Sequence, residues 1–207
     1  HEPLRGSASP GLPLVEVLGD AQLAPRTVAR CLERGLTHRA VHVWLCVPRT
    51  GALLLRKWSR SSMKHPGLWG PTCHGEVHSY GGGGDGHAAE VSTQAAERVL
   101  VEQLGVEAHS NTVGALEHWF SCRSSDGMCQ ELLDIYVGAI EGAGLPALSL
   151  GADEAVDWVF CGEVFEDRLA GSRLLFHMED EYRAFMMRRC RASLVRNDVL
   201  NTFGAVL

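Results

Sequence analysis

Glu90, Arg98, Glu102 and Gln103 are the residues whose types and spacing come nearest to a metal-dependent hydrolytic site. Ser92 to Leu104 has helical apolar spacing, with Ser92 as the expected N-cap and Gly105 as the stop. At about 100° per residue, positions 95, 98, 99, 102 and 103 share one face of such a helix. Carboxylates at 99, 102 and 103 would converge on one patch, and hard cations such as Mg²⁺ or Mn²⁺ take oxygen ligands. Ions held there would polarise a bound oxygen and activate an attacking water. This chain instead carries Val99, Glu102 and Gln103. Val99 removes both charge and donor atoms, and Gln103 keeps only a neutral carbonyl oxygen. Glu97 is no simple substitute, because it points more than about 100° away from Glu102 around the helix. The same residues also describe an ordinary amphipathic helix, with Val99, Leu100 and Leu104 in a core and Glu102 solvated.

The flanking elements must position that helix. Leu14 to Leu18 reads as a short first strand, and Thr27 to Gly35 has helix-like spacing with a glycine stop. Ala40 to Val47 alternates with period two, Arg49-Thr50-Gly51 makes a turn, and Ala52 to Trp58 returns. Gly81 to Gly86 holds five glycines and one aspartate, a loop by composition. Further strands are expected at Gly114–Cys122, Glu131–Ile140 and Val156–Phe160, the first two separated by Ser-Ser-Asp-Gly. Met178 to Leu194 reads as a closing helix. These elements amount to one mixed α/β domain.

The spacing Gly84, five residues, Glu90, seven residues, Arg98, and on to Gly105-Val106 resembles the Nudix box. Upstream, Gly35-Leu36-Thr37-His38-Arg39-Ala40-Val41-His42-Val43-Trp44, Leu53-Leu54-Leu55-Arg56-Lys57-Trp58-Ser59 and Lys64-His65-Pro66-Gly67-Leu68-Trp69 carry the likeness further. In order and spacing these segments are similar to the isopentenyl-diphosphate-isomerase-like branch of the Nudix superfamily. The resemblance implies a Nudix fold, an α/β/α sandwich with the box helix packed on a mixed sheet. It implies metal ligation at 99, 102 and 103, so Glu102 and Gln103 are the remaining metal candidates and Mg²⁺ or Mn²⁺ the weakened cofactor. Glu102 and Glu154 are the catalytic candidates, the latter because a late acidic segment supplies a ligand or base in some relatives. Arg56, Trp69 and Arg98 are the substrate-binding candidates, and the counterparts of Glu90 and Arg98 form an ion pair in the family. The likeness also places the box glycine at Gly75 rather than Gly84, which an insertion of nine residues reconciles. An isomerase requires a catalytic cysteine beside a histidine–glutamate metal site. Cys73, His74 and His38 lie near the relevant places, but the Cys-x-His order is not reproduced. His38, His42 and His65 read as strand-face or loop histidines.

With 207 residues, the expected organisation is a tail over 1–13, one domain over 14–195 with a glycine-rich insertion at about 76–89, and a tail over 196–207. The chain opens at His1 rather than Met, so removal of an upstream segment is expected. A net charge of −6 gives no global reason for nucleic-acid binding, and no apolar run reaches membrane-span length. Seven scattered cysteines without C-x-x-C spacing read as thiols of an intracellular, reducing compartment, the cytoplasm or a mitochondrion. Arg188-Arg189-Cys190-Arg191 with Arg196 is a small basic patch that suits a helix end, an RNA or an acidic partner. The expected function is a catalytically impaired Nudix-fold component that binds a nucleotide, an RNA or protein subunits of a larger assembly. The alternative is a working Mg²⁺- or Mn²⁺-dependent pyrophosphohydrolase acting on a nucleoside-diphosphate-linked substrate.

Overall fold

The computed structural model describes residues 14–18, 26–48, 52–62, 66–80, 88–125, 129–140, 150 and 154–160. The expected closing helix, the basic patch, the glycine run with Gly84, His65, the expected turn at 49–51 and both tails lie outside them, as do Asp126 and Gly127 of the expected Ser-Ser-Asp-Gly turn, whose two serines belong instead to a strand.

Two sheets are present among the described residues. The larger is ordered β11-β4-β3-β10-β9, from β3 (Thr37–Val47), β4 (Ala52–Lys57), β9 (Val113–Ser125), β10 (Gln130–Ile140) and β11 (Ala155–Phe160). Two short strands join it: β5 (Trp69–Gly70) beside β4, and β6 (Cys73–Glu76) beside β3. Its one parallel pairing is β3 with β10; the rest are antiparallel, which makes the sheet mixed. The smaller sheet runs β2-β1-β7-β8, from β1 (Leu14–Val15), β2 (Arg26–Thr27), β7 (His78–Tyr80) and β8 (Ala88–Ala89). The first strand is shorter than the sequence suggests. It ends at Val15, and Val17 makes only an isolated bridge to His38.

Helix α1 (Val28–Arg34) begins where Thr27 accepts from the Arg30 amide and ends at Gly35, whose φ of 58° suits glycine. Helix α2 (Ser92–Leu104) ends at Gly105, φ 69°. Its N-cap is Val91 rather than Ser92. The Gln94 side chain accepts from the Val91 amide at 3.4 Å, while the Ser92 hydroxyl meets the Tyr136 hydroxyl at 2.8 Å. A tertiary partner for Ser92 thus displaces the local capping bond.

Alternation splits the large sheet into two buried faces. Val41, Val43, Leu45, Leu54, Cys73 and Tyr136 pack with Ala95, Ala96, Val99, Leu100 and Leu104 of α2. Each fully buried Leu or Val contributes about 1.5–3 kcal/mol. Neighbours of opposite parity on β3 and β10, including His38, Ala40, His42, Glu131 and Leu133, point to the other face and are also buried. Among the described residues, no helix is long and apolar enough to cross a membrane.

Candidate functional site

The start of α2 is braced to the sheet by Arg98. Its Nε and Nη2 donate to the two Glu90 carboxylate oxygens, each at 2.9 Å, and Nη2 also donates to the Glu76 carbonyl at 2.8 Å. Glu90 is buried and also accepts from the His78 amide at 3.0 Å. Burial alone would push the Glu90 carboxyl up, but the hydrogen bonds from Arg98 and His78 together hold it below its ordinary value. The ion pair implied by the resemblance is therefore present, and it consumes Glu90.

The three positions at which carboxylates would gather a cation are all committed elsewhere. Val99 is 1% exposed and lies against Gly75 so closely that a Cβ on that glycine would stand 2.4 Å from Val99 Cγ1. Glu102 points outward, 55% exposed at its side chain, and pairs with Arg98 Nη1 at 3.0 Å across one helical turn. Gln103 is bonded at both ends of its amide. Its Nε2 donates to the His74 carbonyl at 2.6 Å, and its Oε1 accepts from Arg56 Nη1 at 3.0 Å and the His74 amide at 3.4 Å. Arg56 Nη2 donates to Glu154 Oε2 at 2.8 Å, which occupies the other catalytic candidate. Arg56, Gln103 and Glu154 thus come together, while Glu102 belongs to the Arg98 cluster. Trp69 pairs with Lys57 and Gly70 with Arg56, so Trp69 stands on the opposite face of β4 from Arg56. A hard divalent ion does not fit this helix: one donor is apolar and buried, one is an amide locked by a guanidinium, and one faces solvent.

A second group of donors was not assembled from the sequence. His42, His74 and Glu131 each offer a ligand atom, and these atoms lie within 4.8 Å of one another; His38, Cys129 and Glu131 do the same. All five residues are buried. Sheet register builds the group. Glu131 stands beside His38 in the parallel β3–β10 pair, and His42 faces His74 in the antiparallel β3–β6 pair. His38 and His42 share a face at even spacing, as do Cys129 and Glu131. The Glu131 carboxylate lies 3.3 Å from His74 Nε2 and 3.5 Å from His38 Nε2, and accepts from the Cys129 thiol at 3.1 Å. The even spacings are the signal in the sequence, but only the register shows that they converge. Nitrogen, sulfur and oxygen together suit zinc or a similar transition metal better than Mg²⁺.

Cys73 does not belong to that group. It pairs with Val43 and packs in the α2-side core, whereas its neighbour His74 pairs with His42 and presents its ring to the other face. Burial pushes the Cys73 thiol up to about 12, against the pull of the Arg56 charge. A thiol so protonated is no nucleophile at neutral pH. The missing Cys-x-His order therefore has a physical meaning: a one-residue offset puts thiol and imidazole on opposite sides of the sheet.

A third network lies across β9 and β10. Asp134 accepts from Ser121 and from Arg39 Nη2 at 2.9 Å, and Arg39 Nη1 reaches Glu16 at 3.1 Å. Burial raises the Asp134 carboxyl, but the donors from Ser121, Arg39 and Ser92 bring it below its ordinary value. Ser121 spends its proton on Asp134, and His118 Nε2 approaches that same oxygen atom of Ser121 at 3.2 Å. That geometry binds strands together and activates no nucleophile.

No protein-family profile matches the sequence. Over 109 residues, 50% of this chain, it is 33% identical to Nudix hydrolase 3 of Arabidopsis thaliana, and it spans only 13% of that protein's length. Among solved structures, a MutT protein from Methanosarcina mazei superposes with a TM-score of 0.50 at 16% identity, covering 75% of this chain and 94% of that one. An Ap4A hydrolase from C. elegans, solved as a binary complex, gives a TM-score of 0.49 at 15% identity, covering 76% and 98%.

Proposed function

We propose that this chain is a catalytically impaired member of the Nudix superfamily that serves as a binding component, with a nucleotide, an RNA or a protein subunit as its partner. The observation that carries the reading is the commitment of all three ligand positions on α2: Val99 to the core, Gln103 to Arg56 and His74, Glu102 to Arg98. Without converging carboxylates the helix cannot neutralise a developing diphosphate charge, which is the largest part of what such a site supplies. Of Glu76, Glu90, Glu102 and Glu154, the carboxylates from which a working hydrolase would draw, Glu90 and Glu102 are engaged by Arg98 and Glu154 by Arg56. The fold supports binding without them, since function resides in the site rather than the scaffold. The test is hydrolysis of a panel of nucleoside-diphosphate-linked substrates with Mg²⁺ and Mn²⁺, comparing wild type with Glu102→Gln. Both proteins are expected to be inert; turnover in the wild type that vanishes in the variant would establish the active-hydrolase alternative.

A second reading keeps a metal but moves it. The buried His42, His74 and Glu131 group, with His38 and Cys129 beside it, favours a borderline transition metal on the face of the sheet away from α2. There it would tie β3, β6 and β10 together, the histidines and the thiolate supplying its ligands. Adding Co²⁺ to the apoprotein should produce visible absorption of a nitrogen- and sulfur-ligated ion, lost in His74→Ala. A colourless wild type would remove this reading.

A further inference from the structure

The misfit between α2 and a divalent ion has a specific counterpart in β4. We propose that the Arg56 guanidinium is the resident cation of this site and takes the place of the metal. The proposal rests on the reading of the helix as catalytically silent, and it names what made the helix so.

A divalent ion in such a site draws together oxygens from separate elements. Arg56 does this with its fork, bonding Gln103 on α2 and Glu154 at the start of β11 at 3.0 and 2.8 Å. Gln103 carries the link onward to the His74 backbone on β6. The arrangement is built rather than incidental. Arg56 is 5% exposed, and its guanidinium carbon lies 5.1 Å from the centre of the Trp58 ring. Its planar fork can serve two acceptors at once, which a single ammonium point charge does less well.

Charge explains the composition. One guanidinium balances one carboxylate, Glu154, so the second acceptor should be neutral, and position 103 holds Gln rather than Glu. A Mg²⁺ ion approaching these oxygens would meet a buried positive charge already bonded to them. Arg56 and Gln103 therefore work as one coupled pair, and placing a carboxylate at 103 alone would give Arg56 a second anionic partner rather than open a metal site.

The experiment is thermal melting and calorimetric Mg²⁺ titration of the full chain, for wild type, Gln103→Glu, Arg56→Met with Gln103→Glu, and Arg56→Lys. Wild type and Gln103→Glu are expected to melt alike in millimolar Mg²⁺ and in EDTA. The double variant should melt lower in EDTA and recover with Mg²⁺, with a measurable binding heat. Arg56→Lys should melt below wild type and remain indifferent to Mg²⁺, which keeps the idea testable if the double variant does not fold. A Mg²⁺-dependent rise in wild type or Gln103→Glu, abolished by Glu154→Gln, would overturn the proposal, as would a Lys variant as stable as wild type. A wild type inert on diphosphates yet stabilised by Mg²⁺ through Glu154 contradicts this proposal alone. Turnover without any Mg²⁺-dependent shift contradicts the functional reading alone.

Discussion

Glu90 is spent on structure: three donors converge on its carboxylate. Its carboxylate accepts from Nε and Nη2 of Arg98 and from the His78 amide, and so holds the first turns of α2 against β6 and β7. Because the folded-state value lies below the ordinary 4.5, the carboxylate's contribution to stability is fully present above that value and is lost as pH falls beneath it. Asp134, depressed below 3.8 by its donors, adds loss in the same direction at still lower pH. Glu90→Gln is expected to cost about 2 kcal/mol at neutral pH, since it replaces charge-assisted bonds to a half-buried guanidinium. Urea unfolding should show that the gap between wild type and Glu90→Gln narrows as pH drops below 4.5. A gap independent of pH would mean that the charge of Glu90 contributes nothing.

At the level of elements, α2 and β6 meet at a contact that only glycine allows. Gly75 lies so near Val99 that any Cβ would collide with it. Gly75→Ala should therefore lower stability by about 1–3 kcal/mol, read from chemical denaturation, with the variant still folded. An Ala variant as stable as wild type would show that β6 and α2 separate freely. The same contact tells which sequence signals could be read and which could not. The positions of β3, β4, β10 and α2 could be read from apolar runs and helical apolar spacing, because these strands are buried on both faces and the helix on one. Strands of two to four residues, such as β5, β6 and β7, are too short to carry a period. Ser92 looks like a cap by type, yet its hydroxyl goes to Tyr136, which is distant in sequence. The His and Glu donor group depends on the parallel register of β3 with β10, and nothing local in either strand encodes that pairing.

Over the whole molecule, two faces of one sheet carry different groups of polar side chains. The face under α2 holds the buried Val99, the doubly bonded Gln103 amide and the Arg56–Glu154 pair. The opposite face holds buried imidazoles, a thiol and a carboxylate in ligand-like proximity. The overall fold matches that of a MutT protein from Methanosarcina mazei, but a likeness in fold at 16% identity says nothing about which face acts. The most direct measurement is anomalous scattering from crystals of the wild-type chain soaked in Mn²⁺. The account predicts no manganese peak within ligand distance of Glu102, Gln103 or Glu154, and any ordered ion confined to the His42, His74 and Glu131 group. A manganese peak bridging Glu102 and Gln103, with Arg56 swung away from Glu154, would contradict it.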